Sequence, residues 1–280
     1  MLFSSVPNYE INNHKLYKVE NIKSYKYFMY ESKVDIEFLS HTSPNIKTIY
    51  YIFDCPGESA FAHWIFESFI FVPIFIEISK IYPEIKILTT NTKKYVNNFF
   101  KLWNINNEIV YEIETKDNIC FFPPIISLND NNSDQEIFVK YINTYIDKIN
   151  DMINPINLNL QSDLIFLPRN TEDNYLNNNR IVPKTDLIEK KVIENGGLIL
   201  NTYKINNILL QFLLVNSVNT IILDYGSSFL VNCIFLKNKK IKIIYGIRAF
   251  SYQTANCICM KTICDIIFNN NEISFDLNYA

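Results

Sequence analysis

Thr220-Ile221-Ile222-Leu223-Asp224-Tyr225-Gly226-Ser227-Ser228 decides the fold of this 280-residue chain. Four apolar or β-branched residues in a row read as a strand buried on both faces, and the small polar residues after them read as a turn entering a helix. The same alternation extends in both directions. Upstream lie Leu164-Ile165-Phe166-Leu167, a helical stretch from Thr185 to Glu194 stopped by Asn195-Gly196-Gly197, the run Leu198-Ile199-Leu200, and a helix over Asn206 to Asn216. Downstream come a short helix to Phe235, the strand Ile241 to Tyr245 and a last helix. Unbroken apolar strands separated by helices predict a parallel sheet covered on both faces, with its ligand site beyond the strand carboxyl ends.

The first half repeats the pattern. Thr48 to Phe53 reads as a strand ending in a loop at Asp54-Cys55-Pro56-Gly57. Phe61, Trp64, Ile65, Phe69 and Val72 then recur at helical spacing from Ala60 to Lys80, with Pro73 kinking or dividing the element. Strands follow at Ile85 to Leu88, Ile109 to Tyr111 and Cys120 to Phe122, and helices at Thr92 to Trp103 and Ser133 to Met152. The Asn-rich stretch Asn150 to Ser162 has few core-building side chains and reads as a linker. The fold class expected is therefore α/β, with two Rossmann-like domains at residues 1–155 and 156–280, and with the last helix available to pack back on the first domain.

Hydrophobic residues at 48% and charged residues at 20% exclude a disordered chain. A formal net charge of -3 leaves no overall basic field and argues against nucleic acid as the main partner. The N-terminus lacks the pattern of a signal peptide, and the most apolar run, Phe69 to Ile76, is far shorter than the roughly 20 residues of a membrane span. No membrane span and a cytoplasmic location are the expectations. The cysteines, 6 in all, are read as reduced and mostly buried, since Cys257, Cys259 and Cys264 form no CxxC pair and no His lies in the second half of the chain.

Three features can carry chemistry. The Gly226 turn, with Ser227 and Ser228, allows close backbone approach to a phosphate, although a plain strand-to-helix turn reads the same way. Arg169, Arg180 and Arg248 follow or abut strand ends on the expected binding edge, where a planar guanidinium can engage a diphosphate. His63 and Glu67, four apart on one helix face, read either as a general base with its partner or as a structural polar pair. The chain has no Asp-x-Asp motif, Walker loop, G-x-S-x-G elbow or HExxH.

Three groups of residues recur in the order of a known family. They are Ala62-His63-Trp64-Ile65-Phe66-Glu67, then Leu167-Pro168-Arg169 with Asn179-Arg180-Ile181-Val182, then Asp224-Tyr225-Gly226-Ser227-Ser228 with Asn232 and Phe235. From His63 to Tyr245 the chain resembles glycosyltransferase family 61. Pro183-Lys184 stands where that family usually has Asn-Glu, Tyr225 where it often has His, and one extra residue separates Gly226 from Asn232. The chain looks like a small, soluble member without the membrane anchor, of a kind that suits a large DNA virus or a bacterium.

The resemblance implies the glycosyltransferase B architecture, with the acceptor bound to the N-terminal domain and a nucleotide sugar to the C-terminal one. It implies inverting transfer from a UDP-sugar to a glycan hydroxyl, without cofactor or divalent metal, with xylose favoured as the sugar and N-acetylglucosamine the second choice. Glu67 is the implied base, with His63 orienting it or acting in its place. Arg169, Arg180, Tyr225, Gly226, Ser227, Ser228 and Asn232 are the implied donor contacts, and the strand-end position of Arg248 adds it to them. The competing readings are a noncatalytic carbohydrate-binding or assembly protein that keeps the fold, and a different nucleotide enzyme on the same sheet.

Overall fold

The computed structural model describes residues 10–11, 14–17, 48–54, 61–89, 91, 94–112, 118–121, 123, 132–168, 185–224, 226–244 and 258–276. The chain divides into two compact units, Met1–Ser127 and Leu128–Ala280, and both are α/β.

The first unit is built on the strands β1 (Glu10–Ile11), β2 (His14–Tyr17), β3 (Thr48–Ile52), β4 (Lys86–Leu88), β5 (Ile109–Val110) and β6 (Asn118–Phe121), in the order β1-β2-β6-β3-β4-β5. β6, β3, β4 and β5 are parallel, while β2 runs antiparallel to β6 and pairs with β1 in the same sense. Tyr50, Tyr51 and Ile52 are fully buried, as a central strand with both faces covered requires. The Phe53 amide donates to the Leu88 carbonyl at 2.9 Å and so carries the ladder one residue past β3. Among the described residues the helices of this unit are α1 (Phe61–Glu67), α2 (Val72–Ile81) and α3 (Lys94–Leu102).

Pro73 does not make the break between the first two helices. The chain leaves the α-helix at Ser68 and makes a 3-10 turn over Phe69–Phe71, and Pro73 then occupies the first turn of α2, where its missing N–H has no intrahelical partner to lose. The whole stretch Phe61–Ile81 is, by length and composition, long and apolar enough to cross a membrane, which the shorter run Phe69 to Ile76 is not; most of it is buried inside the protein. Its aromatic side chains join those of α3, and Phe69, Phe99 and Phe100 are at most 1% exposed.

The second unit starts with α4 (Asn132–Ile153) and continues through β7 (Leu164–Leu167), α5 (Thr185–Glu194), β8 (Leu198–Ile199), a 3-10 turn at Thr202–Lys204 and α6 (Ile208–Asn216). It ends with β9 (Thr220–Asp224), α7 (Ser227–Cys233), β10 (Lys240–Ile244), α8 (Ile258–Asn270) and β11 (Glu272–Asp276). The strand order is β11-β10-β9-β7-β8, and every pairing is parallel. α4 packs on α6 and α8, so it belongs to this unit. The Asn-rich stretch read as a joint between domains therefore connects α4 to β7 within the second unit; its polarity reflects an exposed connection rather than a boundary.

Strand register explains where the core lies. Ile165, Leu167, Ile221, Leu223, Ile241 and Ile243 alternate onto one face of this sheet and are at most 1% exposed. On the opposite face Phe166 and Ile244 pack with Ile188 and Val192 of α5, joined by the half-buried Leu164, Ile199 and Ile222. Asn207 caps α6 by accepting from the Leu210 amide at 3.2 Å. Cys120, Cys233 and Cys264 are thiols, the first two buried, and burial pushes the Cys233 thiol well above its ordinary range. Cys55 and Cys257 lie outside the described residues.

The stop after α5 takes the form that Asn195-Gly196-Gly197 foretold. The Gly197 amide donates to the Val192 carbonyl at 2.8 Å and the Gly196 amide to the Ile193 carbonyl at 2.9 Å, the paired bonds of a Schellman cap. Gly196 holds the left-handed φ of 72° that this cap needs. A Cβ on Gly197 would meet Val192 Cγ1 at 2.5 Å, the Val192 carbonyl oxygen at 2.9 Å and Leu164 Cδ2 at 3.0 Å, whereas a Cβ on Gly196 would meet nothing within 4 Å. Gly197→Ala is therefore expected to lower stability by about 2–3 kcal/mol through overpacking. Gly196→Ala should cost about 1 kcal/mol through its dihedral alone. Urea unfolding of the two variants side by side checks the order, and equal losses would show that the second glycine is not held against α5.

Candidate functional site

α1 turns one side toward the core and the other outward. Ala62, Trp64, Ile65 and Phe66 are buried, while His63 and Glu67 keep 34% and 20% of their side chains exposed. The four-residue spacing stacks the pair on one face, and His63 Nδ1 lies 2.5 Å from Glu67 Oε1. A carboxylate can only accept, so this contact puts a proton on Nδ1.

Anchors beneath α1 fix which way that face points. The Trp64 indole N–H donates to the Phe53 carbonyl at 2.8 Å, at the end of the central strand. Thr89 Oγ1, reaching over from the end of β4, lies 3.0 Å from the same carbonyl and 2.9 Å from Asp54 Oδ1, and it accepts from the Asn91 amide at 3.1 Å. Asn91 Nδ2 in turn donates to the Tyr95 hydroxyl at 2.7 Å. Asp54, Thr89 and Asn91 are all buried. They form a polar knot at the carboxyl edge of the sheet, beside the point where the chain order reverses between β3 and β6. Sequence reading took Asp54 only as the start of a loop and passed over Thr89 and Asn91. The only signal was a polar residue directly after each apolar strand.

In the second unit the order reverses between β7 and β9. β7 ends at Leu167, two residues before Arg169, and β9 ends at Asp224, two before Gly226. β10, which pairs with β9, ends at Ile244, four before Arg248. Three of the expected donor contacts are thus preceded by strands that lie side by side and end on one edge. Arg169, Arg180, Tyr225 and Arg248 themselves fall outside the described residues, as does the side chain of Ser227.

Gly226, Ser228 and Asn232 are described. Gly226 precedes α7 in a nearly extended conformation, with φ 159° and ψ −156°. Asn232 is 1% exposed and donates through Nδ2 to the Ser228 carbonyl and to Ser228 Oγ, both at 3.1 Å. It therefore braces the first turn of α7 from within. The Ser228 hydroxyl accepts from Asn232 and keeps its own proton for another acceptor. Asn232 Oδ1 is buried with no hydrogen-bond partner among the described residues. No three His, Cys, Asp or Glu residues among those described group closely enough to hold a metal ion. Compared with known proteins, the chain matches no family model and no curated protein.

Proposed function

We propose that the protein is an inverting glycosyltransferase that moves a sugar from a UDP-sugar to a glycan hydroxyl without a divalent metal, on the glycosyltransferase B plan. Xylose is the favoured sugar and N-acetylglucosamine the second choice. One observation carries this reading. The strands that precede Arg169, the Gly226 turn and Arg248 end as neighbours beside the reversal point of a doubly wound sheet, which is where such sheets bind nucleotides. The guanidinium groups would balance the charge that the leaving diphosphate gains as the glycosidic bond breaks. The His63–Glu67 pair supplies what a binding protein does not need, a proton acceptor held on the open side of an otherwise buried helix.

Thermal unfolding with UDP, in the presence of a chelator, tests the donor half of the proposal. A ligand at a hundred times its dissociation constant adds about 2.7 kcal/mol to the stability of the state it binds, and a rise in Tm of several degrees is expected. UDP-xylose and UDP-N-acetylglucosamine, compared in the same way, would rank the sugars. No shift with any uridine nucleotide would overturn the donor site. A larger shift with adenine nucleotides would favour a different nucleotide enzyme.

A further inference from the structure

We infer that the proton-accepting atom of the His63–Glu67 pair is Nε2 of His63, and that Glu67 is a positioning residue which fixes the ring. The sequence left the two roles open, and the geometry separates them. Glu67 Oε1 is committed to Nδ1 at 2.5 Å, and the proton of that contact resides on the imidazole because an ionised carboxylate has none to give. The other ring nitrogen is then the one with a lone pair. His63 is also the more open of the two side chains, at 34% against 20%. A ring nitrogen with its lone pair in the open is an ordinary general base for a hydroxyl. The arrangement has the logic of other carboxylate–histidine pairs, in which the carboxylate selects the tautomer and steadies the imidazolium that forms.

This inference rests on the transferase reading for its reaction. As the acceptor oxygen forms its bond to the anomeric carbon, its proton passes to Nε2. The bond from that carbon to the diphosphate breaks, with its electron pair leaving on UDP. His63 is then an imidazolium beside the Glu67 carboxylate, and it returns to neutral by giving the proton to water. Trp64 holds the pair in place through the Phe53 carbonyl, since rotation of α1 about its axis would break the 2.8 Å indole bond.

The test needs no substrate. The chain has three histidines, His14, His41 and His63, so nitrogen NMR of the full-length protein with labelled histidine resolves each ring, and His63 is assigned by its loss in His63→Ala. The neutral His63 ring is expected as the Nδ1–H tautomer, and Glu67→Ala should return it to the Nε2–H form that prevails in free imidazoles. A wild-type ring protonated on Nε2 at neutral pH, whether as that tautomer or as the imidazolium, would overturn the inference. So would a ring whose tautomer ignores Glu67→Ala. Transfer assays supply the second arm: His63→Ala should lose more activity than Glu67→Gln, and the reverse order would return the base to Glu67. A fixed tautomer with no UDP-induced shift would leave the pair intact and sink the donor reading, whereas a UDP shift with the wrong tautomer would do the opposite.

Discussion

Trp64→Ala is expected to destabilise the protein by about 3–5 kcal/mol, a larger loss than either glycine substitution at the stop of α5. The indole is 1% exposed. Its ring stacks on Phe69 at 5.1 Å and meets Tyr95, Phe99 and Phe100 at 5.6, 6.0 and 5.9 Å. Truncation removes all four contacts and leaves a cavity that rigid neighbouring rings fill poorly. It also removes the N–H donated to the Phe53 carbonyl, but Thr89 Oγ1 still lies 3.0 Å from that oxygen, so the carbonyl is not stranded. Trp64→Phe should therefore cost far less, about 1–2 kcal/mol, most of it the lost hydrogen bond and residual void. Chemical denaturation of both variants checks the pair of values. A loss below about 1 kcal/mol for the alanine variant would mean that α1 does not sit on the aromatic cluster.

The largest functional effect is expected at the outward face of the same helix. Glu67→Gln and His63→Ala should each reduce sugar transfer by about a hundredfold or more, the second because it removes the proton acceptor and the first because it removes the carboxylate that steadies it. UDP should stabilise either variant as it does the wild type, because neither residue is among the proposed donor contacts. This split between turnover and donor binding separates an enzyme from a carbohydrate-binding or assembly protein of the same fold. The latter has no turnover to lose. Both residues keep part of their side chain in water, so neither change is expected to lower stability by more than about 1 kcal/mol. Full transfer in both variants would remove the pair from the mechanism.

The legible parts of the fold were those in which one physical preference dominated. Leu164–Leu167 and Thr185–Glu194 fall where apolar runs and a Gly-Gly stop put them, because in each the local signal and the tertiary environment agree. β11 was missed for the opposite reason. Glu272-Ile273-Ser274-Phe275-Asp276 alternates as a half-exposed outer strand does, and beside the continuous apolar runs of the inner strands it looks like loop. The hairpin of β1 and β2 carries no Asn-Gly or Asp-Gly turn signal and escaped in the same way. The division of the chain was misplaced because Asn, the commonest polar residue of the chain, marks exposed connections inside a unit as readily as joints between units. For the site, helical spacing paired His63 with Glu67, but only coordinates could show which nitrogen meets the carboxylate. Asp54 and Thr89, 35 residues apart, come together only through the pairing of β3 with β4, which no spacing rule reveals.

The two outer strands of the second sheet solve the problem of an open edge in different ways. β8 is two residues long, too short to offer another chain a useful row of amides and carbonyls. β11 is five residues long, pairs within the sheet only with β10, and presents Phe275 at 42% exposure, the ingredients of a sticky ribbon. Carboxylates bracket it. Glu272 opens the strand and Asp276 closes it, the latter tied at 2.6 Å to Lys242 on β10. A second copy approaching edge to edge would have to desolvate Glu272 at one end and the Asp276–Lys242 pair at the other before its backbone could engage. The acidic ends of β11 thus work against edge-to-edge growth of the sheet.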